Sequence, residues 1–228
     1  MKTLFITIIL IFILSSLRAQ LYIGPKIGVA TSFEDTYNDH SYTDASILSI
    51  NLEPSINVGA MLMYRFGALS IQWEPMYIVL KGKLNMEDIY DSCFVLEQKR
   101  TYWRNNFLLN AGKMIKNRVR LYAQAGLTIG FLLNSERVIN EVHYFPYNDI
   151  QNKDLGITFG VGALVRIKKN WIEINIRANH GLTGYKYIST PWLGSYYYNS
   201  NLSYNIAYIF LISNRNKKTK LDKDKVLY

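Results

Sequence analysis

Eight charged side chains sit at alternate positions of apolar-rich segments: Lys26, Arg65, Glu74, Arg104, Arg120, Arg166, Glu173 and Arg177. The two glutamates invite a paired-carboxylate, general acid–base reading. Each, however, shares its face with several arginines, and buried charges persist only when paired or hydrogen-bonded. The expectation is a structural polar network with no catalytic residue. His180, with Thr183 nearby, could serve as the base of acyl-ester cleavage. That chemistry also needs a nucleophile and an orienting acid within hydrogen-bond reach, and no serine or acid stands at useful spacing. His180 is therefore read as an interfacial residue. His40 and His143 fall in polar segments and are read as solvated. Cys93 is the single cysteine, which excludes a disulfide framework and a multi-cysteine metal site. It is read as a free thiol. No cofactor and no metal are expected.

Period-two alternation runs through the chain. Ile23 to Val29, Ile56 to Tyr64, Leu69 to Val79 and Trp103 to Ala111 place apolar residues at every second position. So do Val119 to Leu133, Leu155 to Ile167, Ile172 to Ala178 and Leu202 to Ile212. These segments predict eight strands and no helix. Tight turns are expected at Gly67-Ala68, at Lys116-Asn117-Arg118 and at Lys169-Asn170, and long polar loops at about 32–54, 81–98, 134–154 and 181–200. Short turns at one end and long loops at the other is the layout of a membrane barrel. The turns also predict register. Phe66 should face Leu69, Ile115 should face Val119, and Ile167 should face Ile172 with Arg166 opposite Glu173. Residues directly opposite in a hairpin share a face, so each pairing keeps one face continuously apolar.

The alternate face carries the eight charged residues with Gln72, Gln124, Asn57, Asn106, Asn110 and Asn175. Glycines crowd it as well, including Gly28, Gly160 and Gly162. A narrow eight-stranded lumen needs small residues beside long ones so that side chains fill it. A membrane barrel turns the apolar face outward and the polar face inward. The predicted fold is therefore all-β, an eight-stranded antiparallel up-and-down transmembrane β-barrel closed by its first and last strands.

The chain has 228 residues, 49% hydrophobic, 14% aromatic and 19% charged, which excludes a disordered, charge-rich protein. Met1-Lys2, the apolar run Leu4 to Leu14 and the small residue Ala19 before Gln20 have the order of a secretory signal peptide. The run is shorter than the roughly 20 residues of a spanning helix. The expected division is 1–19 signal peptide, 20–212 outer-membrane barrel and 213–228 basic periplasmic tail. Without Lys2 and Arg18 the net charge falls from +9 to +7. That excess is luminal or in the tail, so no nucleic-acid partner is expected.

Gly24-Pro25-Lys26-Ile27-Gly28 resembles the opening G-x-K-x-G strand of the outer-membrane β-barrel domain family of Gram-negative bacteria, the porin-family or PorT-like proteins. Leu69 to Tyr77 with Lys81-Gly82 resembles its third strand, with Glu74-Pro75 in reversed order. Leu121-Tyr122-Ala123-Gln124-Ala125-Gly126 is similar to its P-Y-x-x-x-G, with leucine replacing proline. The resemblance runs over roughly 21–212. It implies location in the bacterial outer membrane and contact with its lipid. It also implies a role in binding, envelope structure or an outer-membrane, secretion-type assembly, with other envelope or secretion proteins as partners. Two alternatives compete: an exported soluble lipocalin-like barrel binding a small apolar ligand, and a lipid-modifying outer-membrane enzyme.

Overall fold

The structure, a computed structural model, describes residues 20–38, 46–87, 93–139, 142–144, 153–183, 185–190 and 193–214. Eight long strands form the wall: β1 (Gln20–Asn38), β2 (Ser46–Phe66), β3 (Leu69–Glu87), β4 (Cys93–Ile115), β5 (Val119–Ile139), β7 (Lys153–Ile167), β8 (Asn170–Gly181) and β10 (Leu193–Asn214). Two short strands, β6 (Val142–Tyr144) and β9 (Tyr185–Thr190), pair with β5 and β10. Each long strand pairs antiparallel with its neighbours, and β1 returns to β10 with Lys26 opposite Ala207, closing the barrel. From the turn end up to Thr31 and Pro54, closure leaves no open edge between the first and last strands among the described residues, the condition for placing strands in hydrocarbon.

Alternation decides where each side chain goes. Ile27, Ile56, Leu127 and Val161 point outward and remain 51–63% exposed. The adjacent Lys26, Asn57 and Thr128 are buried inside, as is Arg120 beside the exposed Leu121. A water-soluble barrel has the opposite arrangement, with its apolar face inside. The lipocalin-like alternative is thereby overturned, because Lys26, Glu74, Glu173 and Arg177 occupy the space an apolar ligand would need. Aromatic side chains punctuate the outer surface. Tyr64, Tyr208 and Phe210 lie toward the turn end, and Tyr77, Trp103 and Phe131 lie toward the other.

Two predicted registers are met. Phe66 faces Leu69 and Leu62 faces Trp73 across the first turn. Ile115 faces Val119 and Ala111 faces Ala123 across the second. The third is corrected. The β7–β8 hairpin turns at Lys168-Lys169, so Ile167 faces Asn170, Val165 faces Ile172 and Leu164 faces Glu173. Lys168 takes a left-handed φ of 54°, and the Asn170 side-chain amide donates to the Tyr208 hydroxyl at 2.7 Å.

The long polar segments are corrected as well. Much of 32–54, 81–98, 134–154 and 181–200 continues as paired strand, with Glu53 opposite Lys81 and Lys99 opposite Glu136. A backbone ladder requires only extended residues, so it continues where polar side chains replace apolar ones. Lys83–Glu97 at 2.7 Å and Lys99–Glu136 at 3.2 Å join neighbouring strands in these extensions.

Candidate functional site

The lumen is layered. At its middle Lys26 from β1, Glu74 from β3, and Glu173 and Arg177 from β8 converge, all buried. Lys26 Nζ stands 2.5 Å from Glu74 Oε1 and 3.2 Å from Glu173 Oε2. The Arg177 guanidinium forks onto Glu74, with Nη2 donating to Oε1 at 2.8 Å and Nη1 to Oε2. Gln72 donates to Glu74 and to Glu173, the latter at 3.2 Å. The Tyr122 hydroxyl donates to Glu173 Oε1. Asn106 Nδ2 reaches Glu74 Oε2 at 3.4 Å and Asn110 Nδ2 reaches Gln72 Oε1 at 2.5 Å.

Two cations balance two carboxylates here. A carboxylate has about four lone-pair sites, and on Glu74 they are taken by Lys26, Arg177, Gln72 and Asn106. Bidentate, charge-assisted bonds tie strands on opposite sides of the barrel here. Local sequence makes room for them. A Cβ at Gly162 would meet the Tyr122 ring, and one at Gly160 would meet the Gln124 amide and the Arg177 stem. Glycine at these two positions lets Tyr122 and Arg177 cross the lumen.

Toward the loop end Arg104 Nη2 pairs with Asp154 Oδ2 at 3.1 Å, a partner absent from the sequence-based network. Next to it Thr128, Thr158, Asn179 and Asn201 run as a chain of hydrogen bonds of 2.5–2.8 Å. A luminal cavity of about 10 Å3 lies among Asn57, Arg104, Asn106, Arg177 and Asn205, the size of roughly one water. Ala30, Met76, Ile78, Leu80 and Tyr102 form a small apolar cluster at this level.

The turn end of the lumen departs from expectation. In place of an all-polar network it holds a packed apolar layer: Tyr22, Met61, Met63, Leu164, Trp171 and Ile209, each at most 5% exposed. Arg65 lies between the Tyr22 and Trp171 rings, 5.1 and 5.2 Å from their centroids, and bonds Gln20 Oε1. Arg120 turns away from the carboxylates to donate to Ser70 Oγ at 3.1 Å and to the Ala68 carbonyl at 2.7 Å. Arg166 is exposed and donates from Nε to the Lys168 carbonyl at 3.1 Å. Its expected pairing with Glu173 is not formed, because the hairpin register places Trp171 opposite it. Of the eight network residues, the structure thus joins Lys26, Glu74, Glu173 and Arg177. Arg104 lies one layer away, and Arg65, Arg120 and Arg166 lie at the turn end.

His180 points outward at the loop end of β8 and is exposed. Its Nδ1 lies 2.9 Å from Ser200 Oγ, a contact hidden from local spacing and made by the β8–β10 register. Thr183 Oγ1 instead accepts from the Leu155 amide at 2.9 Å. His40 lies outside the described residues, as do the leader and residues 215–228 of the expected tail, whose first two residues, Ser213 and Asn214, end β10. His143 and Cys93 are described in backbone only, as part of β6 and as the first residue of β4.

No family model matches the chain, and no curated protein matches it. Solved structures resemble it at low identity. The outer membrane protein OprG from Pseudomonas aeruginosa is 11% identical, with 85% of this chain and 97% of that one covered and a TM-score of 0.49. Neisserial surface protein A is 10% identical, with 83% and 97% covered and a TM-score of 0.42. The outer membrane protease OmpT from Escherichia coli is 8% identical, with 85% and 97% covered and a TM-score of 0.40. Likenesses at this level carry no conclusion about activity.

Proposed function

We propose that this chain is an exported outer-membrane β-barrel whose lumen is plugged and whose work is done at its two ends. The observation that carries the reading is the inside-out distribution of side chains. An exposed apolar belt surrounds buried Lys26, Glu74, Glu173 and Arg177, and only a surrounding apolar solvent makes that arrangement favourable. The order of residues 1–19 supplies the export signal this location requires. Strand extensions that carry the barrel wall beyond the belt offer a paired, charged surface for binding or for assembly with other envelope proteins of secretion type. The porin-family and PorT-like motifs support the same placement.

Fractionation of cells producing the full chain tests the proposal. It should sediment with the outer membrane, lose residues 1–19, and migrate faster on gels unheated than boiled. Recovery in the soluble periplasmic fraction overturns the reading.

A second reading, a lipid-modifying enzyme, is favoured by one observation, the His180–Ser200 contact on the outer surface. It supplies two of the three groups of nucleophilic acyl chemistry. Lipid mass spectrometry of cells making the wild type against Ser200→Ala decides it. Identical lipid profiles remove the enzyme.

A further inference from the structure

The two ends of the barrel differ completely in charge. Six exposed cations stand at the turn end: Lys113, Lys116, Arg118, Arg166, Lys168 and Lys169. No Asp or Glu accompanies them among the described residues of that end. They are not spread around the rim. All six belong to the β4–β5 and β7–β8 hairpins, and β5 pairs with β7. The Arg166 amide donates to the Arg118 carbonyl at 2.7 Å, locking the two turns side by side. Lys116 and Lys168 hold left-handed φ values of 48° and 54°, a conformation that glycine adopts at lower cost.

Directly above this sector, on the outward face of the same four strands, lies an apolar depression of about 700 Å3. Ala111, Leu121, Ala123, Val161, Ala163 and Ile174 line it. Ala125 also stands on the outward face, but between Leu109 and Phe159, whereas here Ala111 is registered opposite Ala123, with Ala163 on the next strand. The three alanines lower the wall between Leu121, Val161 and Ile174 and leave a shallow, open apolar face. Lys113 is registered opposite Leu121, so its side chain shares the outward face at the lower edge of the hollow. Ile115 and Ile167, 43% and 41% exposed, interleave with the cations. That mixture places the sector at the depth where hydrocarbon gives way to headgroups.

We propose that this hollow and its cationic edge form a binding site for one anionic glycerophospholipid of the turn-side leaflet. Its acyl chains lie against Ala111, Ala123 and Ala163, and its phosphate lies among Lys113, Arg118 and Lys168. The proposal rests on the membrane reading above, and charge complementarity selects the occupant. A zwitterionic lipid offers the same chains and no net charge to the six cations.

The full chain is placed in nanodiscs of equimolar phosphatidylglycerol and phosphatidylcholine, and the lipids it retains are counted by native mass spectrometry. The wild type should keep phosphatidylglycerol over phosphatidylcholine by about tenfold or more. The variant Lys113→Glu/Arg118→Glu/Lys168→Glu should lose that preference. Ala123→Phe, which fills the hollow from the outside without touching the lumen, should lower retention of both lipids. Equal retention of the two lipids by the wild type overturns the site, as does retention unchanged in both variants. So does a dimer that occupies the hollow in place of lipid. Insertion is scored separately by heat-modifiable migration in pure phosphatidylcholine vesicles. Failure of the wild type there overturns the membrane reading itself, whereas insertion without lipid preference overturns only the site.

Discussion

At the residue scale, the interior is a contest between desolvation and pairing. Moving a charge into the lumen costs several kcal/mol per ion, recovered only when geometry and hydrogen bonds are good. Lys26, Glu74, Glu173 and Arg177 meet that condition through mutual pairing and through Gln72 and Tyr122. Removing one partner leaves the others buried and unbalanced, so Glu74→Gln should destabilise the barrel by about 3–5 kcal/mol. Reversible urea unfolding in lipid vesicles measures it. The double replacement Glu74→Leu/Arg177→Leu should cost clearly less than the two single replacements added together. A strictly additive result would show that the fork contributes nothing. These four residues were legible in sequence because charge recurred on one parity of otherwise apolar strands. Asp154 was not, since the partner of Arg104 is set by a neighbour fifty positions away.

At the scale of elements, alternation is informative and also blind in one respect. A slip of one residue moves every side chain to the other face, whereas a slip of two leaves all faces as they were. The β7–β8 hairpin shows the consequence. Pairing Ile167 with Ile172 or Val165 with Ile172 satisfies the apolar pattern equally. The choice fell to the turn, where Lys168 accepts a left-handed φ that neither its residue type nor its neighbours advertise. Cysteine pairs test the register in a Cys93→Ser background. Val165→Cys/Ile172→Cys should cross-link on mild oxidation and Ile167→Cys/Ile172→Cys should not, since directly opposed Cβ atoms lie about 4.5–5.5 Å apart. The opposite outcome would restore the turn at Lys169-Asn170. The β2–β3 and β4–β5 hairpins were legible because Gly67, with its φ of 66°, and Asn117, with its φ of 58°, suit the left-handed region.

At the scale of the whole molecule, closure makes a lumen, which in the proposed function side chains plug. The apolar layer of Tyr22, Met61, Met63, Leu164, Trp171 and Ile209 lies in series with the charged middle. An ion entering from the turn end would first have to cross hydrocarbon. The chain reconstituted in a planar bilayer should therefore show no discrete conductance. Steady single-channel steps, unaltered by Trp171→Ala/Met61→Ala, would contradict a filled lumen. The sequence contained every one of these residues on the inward parity, yet parity alone says nothing about height along the barrel or about which inward residues meet. Both follow from how the strands are staggered, a property of the closed sheet.

The sequence by itself determined that this chain is a set of amphipathic strands, how many of them are long, and which parity is polar. Those follow from period-two geometry and are local. The tertiary structure bears out the enclosure of the polar face that the sequence predicted, with β1 meeting β10 to close the barrel. It alone decided how far each hairpin extends, how the lumen is layered, and that two basic turns meet beneath one apolar hollow. Contacts between residues tens of positions apart exist only once the sheet has closed.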